Sequence, residues 1–157
     1  MRIVVISDSH RRNGNVKKIL DAQQNARHVF FLGDVTGDIE ELIKFYPDKI
    51  FHIVSGNCDI FSVYPAADIA EVGGHRIFFT HGHTLGVKYG TERLIAAARA
   101  AGCDIALYGH THVSKTLYEN GMYVVNPGSC TEPREGGKSY AVIDIEKIGI
   151  MPIIINI

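Results

Sequence analysis

The chain has 157 residues, 46% of them hydrophobic and 21% charged, with a formal charge of −1 at pH 7. That length suits one domain with a sizeable core, and that balance excludes a disordered chain or one held to a polyanion by bulk charge. No apolar run is long enough to cross a bilayer, and a strand begins at once, so neither a membrane span nor a signal peptide is expected. Cys58, Cys103 and Cys130 are widely spaced, without a C-x-x-C pair. No disulfide framework is expected, and the expected location is a reducing cytoplasm.

Ile3, Val4, Val5 and Ile6 read as a buried strand that stops at Ser7-Asp8-Ser9-His10. Alternate residues of an extended segment point the same way, so Asp8 and His10 are expected to reach one common point. A helix is expected over 16–25, with Asn15 as N-cap and Val16, Ile19, Leu20 and Gln23 on its inner face. A second strand, 28–32, ends at Gly33-Asp34. Asp38 opens the next helix, with Glu41 completing a capping box, and that helix ends before Pro47. A third strand, 50–54, runs into Ser55-Gly56-Asn57-Cys58-Asp59. This β-α-β-α-β order implies a parallel sheet with right-handed crossovers.

Strands 67–72 and 76–80 follow, joined by Gly73-Gly74 as a hairpin, and the second ends at His81-Gly82-His83. A helix is expected over 91–101, stopped by Gly102. A strand over 105–108 ends at Gly109-His110-Thr111-His112. The remainder reads as strands over 114–118, 122–125, 140–145 and 148–157, the last as part of the core.

Apolar runs thus end repeatedly in ligand-type residues: Asp8 with His10, Asp34, Asn57, His81, and His110 with His112. In a mostly parallel sheet these ends gather on one edge, where open α/β sheets place their sites. Turn chemistry explains aspartate and asparagine at strand ends, but histidine is not a preferred turn former. The set is too large for one ion and suits two, roughly 3.5–4 Å apart, the usual clamp for displacement at phosphorus. Asp34 is the natural bridge, since each of its oxygens can bind one ion. The mixed oxygen and imidazole donors suit Mn²⁺, Fe²⁺, Co²⁺, Ni²⁺ or Zn²⁺ better than Ca²⁺.

D-x-H, then G-D, G-N, H-G-H and G-H-T-H, in this order, resembles the calcineurin-like metallophosphoesterases, and the short length looks most like the small YfcE-like phosphodiesterases. The resemblance covers the chain, residues 1–157, as a single domain. It implies an α/β (α+β) fold, a four-layer α-β-β-α sandwich with two mixed sheets. It implies Asp8, His10 and His112 on one ion, Asn57, His81 and His110 on the other, and Asp34 on both, with Mn²⁺ or Ni²⁺ favoured. It places Asp8, Asp34, Asn57, Cys58 and Asp59 at the catalytic centre. There the family commonly reads G-N-H before Asp or Glu, its histidine thought to assist the leaving oxygen. This chain has Cys58 instead, and a neutral thiol is a weak donor without an imidazolium's charge.

The expected activity is phosphodiester hydrolysis by a hydroxide held between the two ions. The alternatives are a phosphomonoesterase or nucleotide pyrophosphatase, and a protein-binding scaffold like the small retromer subunit of this fold. A small phosphoester is the expected partner, with no stable nucleic-acid complex and no membrane, and a homo-oligomer is left open. His83 is a candidate to support the metal ligands, and Arg11, Arg12 and Arg134 are candidates for binding phosphate. His28, His52 and His75 read as structural, without ligand partners nearby, and Cys103 and Cys130 as small core residues.

Overall fold

The apolar runs become ten strands, and the amphipathic stretches between them three α-helices, in a computed structural model describing residues 1–157. In chain order they are β1(Arg2–Ile6), α1(Asn13–Ala22), β2(His28–Phe31), α2(Gly37–Ile43), β3(Ile50–Ile53), β4(Ala67–Val72), β5(His75–Thr80), α3(Glu92–Ala100), β6(Ile105–Leu107), β7(Ser114–Glu119), β8(Met122–Pro127), β9(Ser139–Glu146) and β10(Gly149–Asn156). One five-stranded sheet has the order β10-β9-β1-β2-β3, and the other β4-β5-β6-β8-β7. Strands β1, β2 and β3 run parallel, as do β5, β6 and β8, while β4, β7, β9 and β10 pair antiparallel with their neighbours. Both sheets are therefore mixed, as expected.

Side chains alternate across each strand, and the alternation builds the layers. Ile3 and Val5 face inward with Phe30, Leu32 and Ile143, meeting Val72, Ile77, Phe79, Ile105 and Leu107 of the second sheet. Val4 and Ile6 face outward, against Val16, Ile19 and Leu20 of α1 and Ile39 and Leu42 of α2. On the far side Ala106, Tyr108 and Val124 pack beneath Leu94, Ile95 and Ala98 of α3. This is the α-β-β-α sandwich.

Several local expectations are corrected. Helix α1 begins at Asn13 and ends at Ala22, and Arg12, not Asn15, occupies its N-cap without a side-chain cap bond. Asn15 instead donates to the Cys130 carbonyl at 2.7 Å. The Asp38–Glu41 capping box does not form, since Thr36 is the N-cap of α2. Asp38 accepts from the Ser9 hydroxyl at 2.6 Å and the Arg12 amide at 3.2 Å, while Glu41 accepts from Asn13 at 2.7 Å. Long-range partners outcompete local caps at both helix starts. The C-terminal strand is an edge rather than core. Ile150 and Ile154 pack inward, but Met151 and the turn residue Ile148 are exposed.

His28 and His52 are not solitary. Their ring nitrogens Nδ1 and Nε2 lie 3.0 Å apart, and the His52 ring stacks on Phe30 at 4.4 Å. His75 pairs with Asp104. Burial, then the neighbouring His28, lowers the His52 pKa to about 4. In the unfolded chain the same ring titrates near ~6.5. The unfolded state therefore takes up the proton first, and stability falls as pH drops from about 6.5 towards 4. His52→Phe keeps the stacking and should flatten that part of the pH dependence. Urea midpoints measured at pH 7.5 and 5 check this, and parallel losses in both proteins would contradict it.

Candidate metal centre

Strand ends β1, β2, β3, β5 and β6 supply the site, and their backbones are unusually bent there. Asp8, His10, Asp34, His110 and His112 all have positive φ, between 45° and 66°. Non-glycine residues held there cost of the order of 1–3 kcal/mol each and persist only where the surroundings fix them. Asp8 and His10 thus converge through left-handed kinks rather than the extended geometry expected. The loops fix one another. Asp8 N–H donates to Gly33 O at 3.1 Å, Gly109 N–H to His81 O at 3.0 Å, and His110 N–H to Asp8 Oδ2 at 3.1 Å. Gly56 and Gly109 are needed for room rather than for turning. A Cβ at Gly56 would lie 2.1 Å from Asp34 Oδ1, and one at Gly109 2.0 Å from Ser7 Oγ.

Two groups of side chains that could hold a metal ion result, Asp8, His10, Asp34 and His112 in one and Asp34, His81 and His110 in the other. Within each, the ligand atoms lie within 4.8 Å of one another. Asp34 belongs to both. Its Oδ2 is 3.9 Å from His10 Nε2 and 3.4 Å from His81 Nε2. Its Oδ1 accepts the Cys58 N–H at 2.9 Å, so one oxygen, not two, faces both groups. Asn57 joins the second group through Oδ1, 3.2 Å from His81 Nε2.

Three features fit this pocket to cations. Asp8 Oδ1 is buried without a hydrogen-bond donor, a state costly for a carboxylate unless something positive meets it. The Nδ1 nitrogens of His81 and His112 lie 2.7 and 2.6 Å from the carbonyls of Leu32 and Glu132, which places the proton on Nδ1 and leaves Nε2 as a lone-pair donor. Ring nitrogens also face each other, His10 and His112 at 3.2 Å, His81 and His110 at 3.1 Å. The charges agree. Burial would raise the Asp34 pKa, but His81 and the Cys58 amide hold it well below the usual carboxylate range. Burial would lower His81, yet Asp34 and Asp8 raise it. Burial, His81 and then Lys88 depress His110 to about 4.

The family model of the calcineurin-like phosphoesterase superfamily domain matches residues 1–148. The chain belongs to that superfamily. Among curated relatives, the Escherichia coli K12 phosphodiesterase YfcE is 27% identical, over 96% of this chain and 91% of its own. The structure of a predicted phosphoesterase from Streptococcus pneumoniae TIGR4 superposes with a TM-score of 0.86 at 29% identity, covering 99% of this chain and 88% of that one. Zinc-complexed Vps29 from Entamoeba histolytica shares the fold, with a TM-score of 0.76 at 21% identity over 99% of this chain and 98% of its own. The sandwich described above is thus the metallophosphoesterase fold.

Within it the remaining expected residues fall unevenly. Cys58 is exposed beside Asn57, its Sγ 3.4 Å from the Asn57 amide. Partial desolvation by its neighbours, then the Asp34 charge, push its thiol up to about 11, so it is neutral near pH 7. Asp59, expected among the reacting groups, has both oxygens engaged by the backbone N–H groups of Asp34, Thr36 and Gly56 at 2.7–3.0 Å. It ties the second and third loops together. His83 does reach the site. Its ring centroid is 5.5 Å from that of His81 and 6.0 Å from that of His110, with Nδ1 buried and unpartnered. Arg12 pairs with Glu132 at 3.2 Å instead of standing free.

A sixth loop, unforeseen from the sequence, holds the others. Buried Asn126 donates to Gly109 O and Thr111 Oγ1, both at 3.0 Å, and accepts the Gly128 N–H at 2.9 Å. Ser129 and Thr131 donate to Asp8 O at 2.8 and 3.0 Å. The signal was available, because strand 122–125 also ends in a polar turn, Asn126-Pro127-Gly128-Ser129. Outer partners of ligands are typically worth about 10–100-fold in metal affinity. Asn126→Asp, which loosens the loop carrying His110 and His112, should therefore weaken binding of a divalent ion by up to about that factor, read from a calorimetric metal titration.

Proposed function

We propose that this chain is a phosphodiesterase acting as a single domain over residues 1–157 in the cytoplasm, with two divalent ions. Asp8, His10 and His112 hold one, Asn57, His81 and His110 the other, and Asp34 is shared. One observation carries the reading: Asp34 Oδ2 stands between both donor groups. That Oδ2 carries no backbone hydrogen bond and would be the oxygen presented to both groups, while Oδ1 accepts the Cys58 amide. Mn²⁺ is the foremost candidate, with Ni²⁺, Co²⁺, Fe²⁺ and Zn²⁺ compatible with the same donors.

Bound ions would polarise the phosphoryl oxygens and make a water nucleophilic at neutral pH. The protein's part is to hold them. Nδ1–H bonds to Leu32 and Glu132 lock the His81 and His112 rings, and Asp8, with the bridge Asp34, supplies charge where positive charge gathers. Asn57 adds a neutral oxygen donor. Cys58 stays a neutral thiol, so it offers the leaving oxygen little help.

The likeness to YfcE, a phosphodiesterase, supports a diester as the substrate. The likeness to Vps29 keeps a protein-binding scaffold in view, but the complete donor set favours catalysis. Turnover of bis-p-nitrophenyl phosphate and p-nitrophenyl phosphate with Mn²⁺ tests the substrate class. The expected kcat/KM favours the diester by about tenfold or more, a difference of ~1.4 kcal/mol. A preference for the monoester would replace this reading with that of a phosphomonoesterase.

A further inference from the structure

Two loops beside the site expose aromatic side chains that the fold does not use. Phe61, in the β3–β4 loop, is 99% exposed, and Ile60 before it and Val63 two residues on are largely exposed. Tyr89, in the loop after β5, is 98% exposed. Phe61 also sits at φ +63°, a costly conformation for a bulky residue, without any packing to offset it.

Both loops are anchored to the candidate metal centre. Asp59, two residues before Phe61, binds the amides of Asp34, Thr36 and Gly56, and its carbonyl accepts the Ser62 N–H at 3.3 Å. The Tyr89 loop starts at His81 and Gly82, is pinned by buried Val87 against Gly82, and turns through a Tyr89 N–H bond to Gly86 O at 2.9 Å. Strand β4 leads out of the first loop and pairs with β5, which leads into the second. The two loops therefore border the same side of the site, that of Asn57, His81 and His110.

We propose that Phe61 and Tyr89 are specificity residues that receive a planar aromatic group of the phosphodiester. The proposal rests on the phosphodiesterase reading and names its substrate class, small diesters with an aryl or nucleobase ring. Flat rings stack on exposed aromatics whatever their substituents, whereas saturated rings of equal size do not.

The test is competitive inhibition of bis-p-nitrophenyl phosphate hydrolysis by Mn²⁺-loaded protein, comparing diphenyl with dicyclohexyl phosphate. Stacking predicts that diphenyl phosphate binds about fivefold or more tighter. That ratio should shrink towards one in Phe61→Gly and in Tyr89→Ala. Glycine suits a positive φ, so the first variant relieves strain rather than adding it. Equal inhibition by the two diesters, or a ratio untouched in both variants, would overturn the proposal. So would a preserved ratio in a Phe61→Gly protein whose sedimentation mass has fallen, since the apolar loop would then be a contact between copies. If the wild-type protein hydrolyses no phosphodiester, the phosphodiesterase reading fails instead. Calorimetry of the same two diesters on Mn²⁺-loaded protein then still decides whether the rim prefers a flat ring.

Discussion

Asp34→Asn will lower turnover of an aryl phosphodiester by about 10³-fold or more, the scale expected when several kcal/mol of charge stabilisation disappears. The substitution preserves shape, and the side-chain oxygen that remains can still accept the Cys58 amide now bound at 2.9 Å. What it removes is the negative charge facing both donor groups, 3.9 Å from His10 and 3.4 Å from His81. Both ions should therefore be lost or weakened together. His10→Ala and His81→Ala each remove a donor from one group only and should leave the other ion in place. Metal content per chain, measured by elemental analysis after gel filtration, reads this directly. Equal losses in all three variants would reject Asp34 as the shared ligand.

Cleavage rate should depend steeply on the leaving group, with aryl diesters cut far faster than alkyl ones. An aryl oxygen such as p-nitrophenolate departs unprotonated, whereas an alkoxide needs a proton. Cys58 stands where the resembling family commonly places a histidine, and its thiol is pushed up to about 11. It remains neutral and is a poor donor near pH 7. A well-placed general acid is worth about 10²–10⁴-fold. Cys58→His should recover a part of that, about 10²-fold, for alkyl leaving groups and little for p-nitrophenolate. Rates for wild type and variant across a graded series of leaving groups decide it. Shallow, parallel dependences would mean that another group, with His83 the nearest candidate by its ring contacts to His81 and His110, already assists.

The sandwich and most of the donor set were legible because both rest on local pattern. Ile3, Val4, Val5 and Ile6 are apolar without a break, the mark of a strand covered on both faces, and β1 is buried on both. Asp8, Asp34, Asn57, His81 and His110 each follow an apolar run, and parallel strands carry such ends to one edge. What escaped depends on contacts distant in sequence. Ser129 reaches the Asp8 carbonyl across 121 residues, and Asn126 reaches Gly109 across 17. Asp38 looked like a helix cap because its local sequence permits one, yet Ser9, 29 residues away, claims its carboxylate. Asp59 follows the same logic. Next to Asn57 it reads as a reacting group, but three backbone amides consume its oxygens. The strained φ values of the ligand residues were likewise invisible, since aspartate and histidine carry no mark of them.

Removing and restoring the metal tests the central claim most directly. Protein stripped with a chelator and dialysed should show no hydrolysis of bis-p-nitrophenyl phosphate. Titration with Mn²⁺ should restore activity, reaching its plateau near two ions per chain. Activity that survives complete metal removal, or a plateau at one ion, would contradict a shared two-ion centre built on Asp34.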